Sequence, residues 1–136
     1  MRPSTMSQSS PLARRRVLLA EDNAVSQQVV IELLQTRGHS VKLAENGIAV
    51  LSALEQESFD IVLMDGEMPE MDGFQTTVAI REREKKNGGH IKIIAMTGLT
   101  TERDRERCLA TGMDGFLRKP IRARELFEAV EQGNVV

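Results

Sequence analysis

Short apolar runs in this chain are each followed closely by residues that can handle charge. Glu21 and Asp22 follow the run 17–20, Asp65 follows 61–64, Thr97 stands just after 91–95, and Lys119, before Pro120, lies just past 116–117. Each has an ordinary explanation on its own. An acidic pair after a strand commonly caps the next helix, threonine suits a strand end, and a lysine before proline is usually surface. The combination says more. Three carboxylates held close repel one another unless a cation neutralises them, and hard oxygen ligands suit Mg2+. An ammonium and a hydroxyl beside them would hold phosphoryl oxygens, and an aspartate could accept the group.

For these residues to meet, the apolar runs must be parallel strands of one sheet. The runs 17–20, 41–44, 61–64, 91–95 and 116–117 are mostly too short for helices. Several are continuously apolar, as strands covered on both faces would be. Helical patterns lie between them. Val25, Val29, Val30, Leu33 and Leu34 read as one stripe stopped by Gly38, and Ile48, Leu51 and Leu54 as a second after Asn46-Gly47. A third helix starts near Asp72, carries Phe74 and Val78, and fades into the charged run 81–86. The last spans about 122–131 with Leu126, Phe127 and Val130. Strict alternation of strand and helix implies a doubly wound α/β fold with helices on both faces. Ligands in such sheets bind beyond the carboxyl ends of the strands, where these residues stand.

Composition narrows the class. The 136 residues carry a net charge of -2, so no overall field favours nucleic acid or an anionic membrane. The longest apolar runs cannot span a bilayer. One cysteine, Cys108, excludes an internal disulfide or a Cys-cluster zinc site and reads as a small buried hydrophobe. His39 and His90 sit in polar or Gly-flanked surroundings without metal-ligand spacing, and Arg14-Arg15-Arg16 reads as solvated surface. Residues 1–13 read as a flexible lead-in or linker, 14–132 as one domain, and 133–136 as a tail.

The stretches Leu19-Ala20-Glu21-Asp22-Asn23, Leu63-Met64-Asp65-Gly66-Glu67-Met68-Pro69-Glu70-Met71-Asp72-Gly73 and Gly112-Met113-Asp114-Gly115-Phe116-Leu117-Arg118-Lys119-Pro120 closely resemble receiver (CheY-like) domains of two-component response regulators. The segment from Asp104 to Gly115 is similar to receivers of hybrid sensor histidine kinases. The resemblance implies a flavodoxin-like, five-stranded parallel sheet of order 2-1-3-4-5 with five helices. Asp65 would be the phosphoacceptor. Mg2+, with Mn2+ as a substitute, would be held by Asp22, by Glu21 largely through metal-bound water, by Asp65, and by the backbone carbonyl of Glu67. Thr97 and Lys119 would bind the phosphoryl oxygens, and the Lys119-Pro120 bond would be cis. Thr97 and Phe116 would form the switch pair, with Phe in place of the commoner Tyr. Glu67 and Leu99 occupy the positions that tune phosphoaspartate lifetime.

The implied partners are a histidine kinase or histidine phosphotransfer protein, with no direct nucleic acid binding and no membrane contact by this domain. Such a domain would be a monomer or weak dimer, cytoplasmic or in the cytoplasmic part of a membrane-bound sensor kinase. It would not be a turnover enzyme, although its parent would be a histidine kinase if this is a hybrid-kinase module. A standalone regulator is the alternative parentage. A Mg2+-dependent phosphatase of haloacid-dehalogenase type would need a second aspartate two residues after the nucleophile, and Glu67 stands there instead. Gly66 and Gly98 also depart from the commonest receiver pattern.

Overall fold

Each apolar run becomes a strand, and each amphipathic stretch between them a helix. The chain order is β1 (Arg16–Ala20), α1 (Ala24–Thr36), β2 (Ser40–Ala44), α2 (Gly47–Gln56), β3 (Ile61–Asp65), α3 (Gly73–Asn87), β4 (Lys92–Thr97), α4 (Glu102–Thr111), β5 (Gly115–Arg118) and α5 (Ala123–Phe127), the last continuing as a π-helical turn, Glu128–Gln132. The computed structural model describes residues 14–68, 70–98 and 101–132. The expectations for residues 1–13, Leu99 and 133–136 lie outside them.

All strand pairs are parallel, in the order β2-β1-β3-β4-β5. The central strands β1 and β3 are apolar without alternation because both faces are covered. Leu18, Val62 and Ile93 pack with Val50 and Ala53 of α2, Ile80 of α3 and Cys108 of α4. Val17, Leu63 and Ile94 pack on the other face with Val30 and Leu34 of α1 and Leu126 and Val130 at the C-terminal end. Among the described residues no helix is long and apolar enough to cross a membrane.

Helix starts are fixed by side chains just past the strand ends. Asn23 accepts from the Ser26 N–H and Asn46 from the Ala49 N–H, while Asp72 with Gln75 and Thr101 with Asp104 form capping boxes. These caps bring four helix N-termini to one edge of the sheet.

The helical stripes differ from the sequence reading. Val25 is 73% exposed and Val29 43%, while the buried pair is Val30 and Leu34. Successive helical residues are about 100° apart, so a valine beside the buried one is already turning outward. Ile48 and Val78 are exposed for a related reason: each lies two residues, about 200°, from a buried neighbour, Val50 and Ile80. The charged run 81–86 does not end α3, which continues to Asn87. Arg81 anchors that stretch by donating to the Gly112 and Ile91 carbonyls, each at 2.8 Å, and pairing with Glu84 and Asp114.

At the opposite edge of the sheet, one expectation about surface residues is corrected beside a buried histidine. His39, whose sequence neighbours are polar, is buried and held by the Arg15 N–H and by Glu131. The arginine run is only partly solvated. Arg16 pairs with Glu57 and stacks on Phe59, and Arg15 donates to the Glu131 carbonyl.

Candidate functional site

Four parallel strands deliver charged or hydroxyl side chains to the capped edge. The carboxylates of Glu21, Asp22 and Asp65 each place an oxygen within 4.8 Å of the others. Glu21 and Asp65 are buried, while Asp22 is exposed. Past the end of β5, the Lys119 N–H donates to the Thr97 carbonyl at 2.8 Å, which carries the lysine to the same edge. Its Nζ stands 3.3 Å from Glu21 Oε1 and 3.3 Å from Asp65 Oδ1. The Lys119-Pro120 bond is cis.

Backbone and side-chain donors fix the carboxylates. The Glu67 N–H reaches Asp65 Oδ1 at 3.2 Å, and the Asn23 N–H reaches Glu21 Oε2 at 3.2 Å. Gln27 Nε2 donates to the Glu21 carbonyl at 2.7 Å. Gly73 explains the tight turn from β3 into α3, because a Cβ there would lie 2.4 Å from the Asp65 carbonyl oxygen.

The electrostatics are unbalanced. Burial, then the neighbouring Asp65, pushes the Glu21 carboxyl above its usual range. Burial alone would lower Lys119, but the charges of Asp65 and Glu21 outweigh it and hold the ammonium above its ordinary value. One ammonium faces three carboxylates, and Glu21 Oε1, though near Lys119, accepts no hydrogen bond. An all-oxygen donor set with an excess of negative charge and an unsatisfied buried oxygen fits Mg2+.

These residues line a cavity of about 900 Å³, together with Glu67, Met68 and Thr97. The Glu67 side chain is exposed and makes no ion pair with Lys119 among the described residues. Thr97 is half-buried. Phe116 lies in β5, half-buried, with the Arg105 guanidinium 5.1 Å from its ring centroid.

Sequence reasoning missed the far wall, formed by Phe74 with Asp104, Arg107 and Cys108 of α4. The signal was present: 104, 107 and 108 are spaced i, i+3, i+4 and must share one helix face. It also missed Asn23 and Gln27 as supports for Glu21. Cys108 is buried, and burial pushes its thiol up.

Known proteins with this arrangement agree with one another. The chain is 38% identical over 120 residues to hybrid signal transduction histidine kinase B of Dictyostelium discoideum, covering 82% of this chain and 6% of that protein. It is 42% identical over 123 residues to sensor protein GacS of Pseudomonas syringae, covering 88% of this chain and 14% of that protein. It thus spans a small part of either relative. A crystal structure of the receiver domain of a Pseudomonas aeruginosa sensor histidine kinase, with magnesium ion coordinated in its active site cleft, superposes with a TM-score of 0.77 at 38% identity, covering 86% of this chain and 94% of that one. The co-crystal structure of the Saccharomyces cerevisiae histidine phosphotransfer protein Ypd1 and the receiver domain of Ssk1 matches with a TM-score of 0.85 at 26% identity, covering 89% of each chain. The response regulator receiver domain family matches residues 17–131, essentially the whole sheet and its helices, and the chain belongs to that family.

Proposed function

We propose that the chain is a phosphorelay receiver in which Asp65 accepts a phosphoryl group from a phosphohistidine on a histidine kinase or histidine phosphotransfer protein. The observation that carries this reading is the Lys119 ammonium, 3.3 Å from both Asp65 and Glu21 in a cluster with surplus negative charge. In the transfer an Asp65 oxygen attacks phosphorus, the N–P bond breaks, and its electron pair stays with the imidazole. Lys119 holds a phosphoryl oxygen and offsets developing charge, while the Glu67 N–H keeps Asp65 Oδ1 in line. Glu21, Asp22, Asp65 and the Glu67 carbonyl would hold Mg2+, with Mn2+ as a substitute; when bound, the ion would offset charge on the phosphoryl oxygens and on the accepting carboxylate.

The phosphorylated aspartate would draw in the Thr97 hydroxyl and let Phe116 turn inward, altering the surface of α4, β5 and α5. Glu67 and Leu99 would set the phosphoaspartate lifetime. Residues 14–132 form the working unit, a cytoplasmic module of a hybrid histidine kinase that acts as a monomer or weak dimer without contacting nucleic acid. The unit takes up one phosphoryl group and loses it slowly rather than turning over.

The test is acetyl phosphate with Mg2+. The parent protein should gain an acid-stable, base-labile phosphoryl group, while Asp65→Asn or chelation of Mg2+ abolishes it. Robust phosphorylation of Asp65→Asn at another residue overturns the assignment.

A further inference from the structure

The cavity is far larger than its proposed cargo. A phosphoryl group needs on the order of 100 Å³, roughly three waters' share of liquid volume, against about 900 Å³ here. The extra space runs from Asp65 toward α4. Among the described residues, a Cβ at Gly98 would meet nothing within 4 Å, and one at Gly66 would touch only Phe74, at 3.6 Å. Where a side chain could have stood, the Phe74 ring forms the wall.

Arg107 lies on that ring, its guanidinium carbon 3.8 Å from the centroid. Among the described residues the guanidinium makes no hydrogen bond or ion pair, although it carries five N–H donors. Arg81 shows the contrast, because its donors are committed to two carbonyls and two carboxylates. Nor does Asp104, three residues earlier on the same face of α4, claim Arg107; its carboxylate accepts from the Thr101 N–H and hydroxyl. A solvent-exposed arginine with no protein acceptor among the described residues therefore lines a cavity proposed to receive a phosphoryl group.

We propose that Arg107 is a second phosphoryl-binding cation of this site, resting on Phe74 until Asp65 is phosphorylated. The proposal rests on the reading of Asp65 as phosphoacceptor. A phosphoryl group offers a planar guanidinium charge-assisted, bidentate hydrogen bonds, which outweigh stacking on a ring that water can reach. The move would pull on α4, whose one buried side chain is Cys108 and whose Arg105 stacks on Phe116. Arg107 would thus link the phosphoryl group to the helix on the proposed readout surface.

The experiment uses beryllium trifluoride, which forms an acyl-phosphate analogue on aspartate, with Mg2+ present. Arg107→Ala should bind it about tenfold more weakly, a loss of about 1.4 kcal/mol, and Arg107→Lys, which keeps the charge but not the fork, should recover only part of that loss. Phe74→Leu removes the resting place but keeps the cation, so its binding should be tighter than the parent's. The Arg107 Nε–H resonance should shift on adding the analogue to the parent protein. Parent-like binding by Arg107→Ala overturns the proposal, as does equal weakening in Arg107→Ala and Phe74→Leu, which would mark the stack as packing alone. Adduct formation by Asp65→Asn would instead overturn the reading beneath it.

Discussion

Two glutamates stand at opposite ends of the sheet, Glu21 buried and Glu131 half-buried with its side chain largely covered, and their surroundings push their acidities in opposite directions. At the end where β1 begins, Glu131 accepts from Arg37 Nε at 2.8 Å and Nη2 at 2.6 Å, and lies 2.9 Å from His39 Nε2. His39 Nδ1 accepts the Arg15 N–H, so Nε2 carries a proton and donates to the carboxylate. The Arg37 hydrogen bonds hold Glu131 below the usual range despite its burial. At the other end, Glu21 has an oxygen that accepts no hydrogen bond, and burial pushes it above that range. Among the described residues each end keeps one buried side-chain atom without a hydrogen bond, but of opposite kind: Arg15 Nε, a cationic donor, beside the Glu131 cluster, and Glu21 Oε1, an acceptor, in a cluster where one ammonium faces three carboxylates. Surplus negative charge on an unsatisfied oxygen is what an added cation would offset, so the proposed binding edge is the one whose missing partner is positive.

The sharpest way to break the comparison is to delete each carboxylate. Glu131→Ala should cost about 1–2 kcal/mol in urea unfolding, because buried His39 loses its acceptor while exposed Arg37 can turn to water. Glu21→Gln should act the other way, stabilising the metal-free domain by about 1 kcal/mol and removing most of the stabilisation that Mg2+ gives the parent. Equal destabilisation by both substitutions would mean that the two ends are alike.

Opposite pH slopes offer a finer test. Glu131 has a lowered folded pKa, so its contribution is present above the unfolded value near 4.5 and is lost as pH falls through the folded value. Glu21 has a raised folded pKa, so its contribution is present below 4.5 and is lost as pH rises through the folded value. Without Mg2+, Glu131→Ala should flatten the acid limb of the stability profile, and Glu21→Gln should flatten the decline above it. If neither limb changes, these carboxylates do not carry the pH dependence.

The functional end was far more legible in the sequence than the structural end. Glu21, Asp22, Asp65, Thr97 and Lys119 follow apolar runs directly, and a parallel sheet converts that position into proximity. The fold was legible for the same reason, since central strands covered on both faces cannot hide their apolar character. The Glu131 cluster was not legible, because Arg15, His39 and Glu131 meet only when the last helix packs beside the first strand. Nothing local distinguishes such a histidine from a surface one. Helix faces were misjudged at Val29, Ile48 and Val78 because apolar type was read without the angular step from the buried neighbour. Arg107 was hidden by its company, a run of alternating charges on α4 that resembles solvated surface.

The smallest expected effect concerns Glu67, an exposed carboxylate lining the same cavity as buried Glu21. Its tie to the site runs through the backbone: its N–H holds Asp65 Oδ1, and its carbonyl is the proposed metal ligand. Neither depends on the side chain. Glu67→Gln should therefore leave Mg2+ affinity within about twofold of the parent, under 0.5 kcal/mol, while Glu21→Gln weakens it strongly. The carboxylate lines the same cavity as Asp65, where it would face a water attacking the proposed phosphoaspartate, so the same substitution should change autodephosphorylation severalfold. Mg2+ titration of the two variants side by side separates burial from mere presence in the cavity. A loss above about tenfold in Glu67→Gln, about 1.4 kcal/mol, would make its side chain a ligand, and the exposed rim would then share the unsatisfied charge assigned here to Glu21.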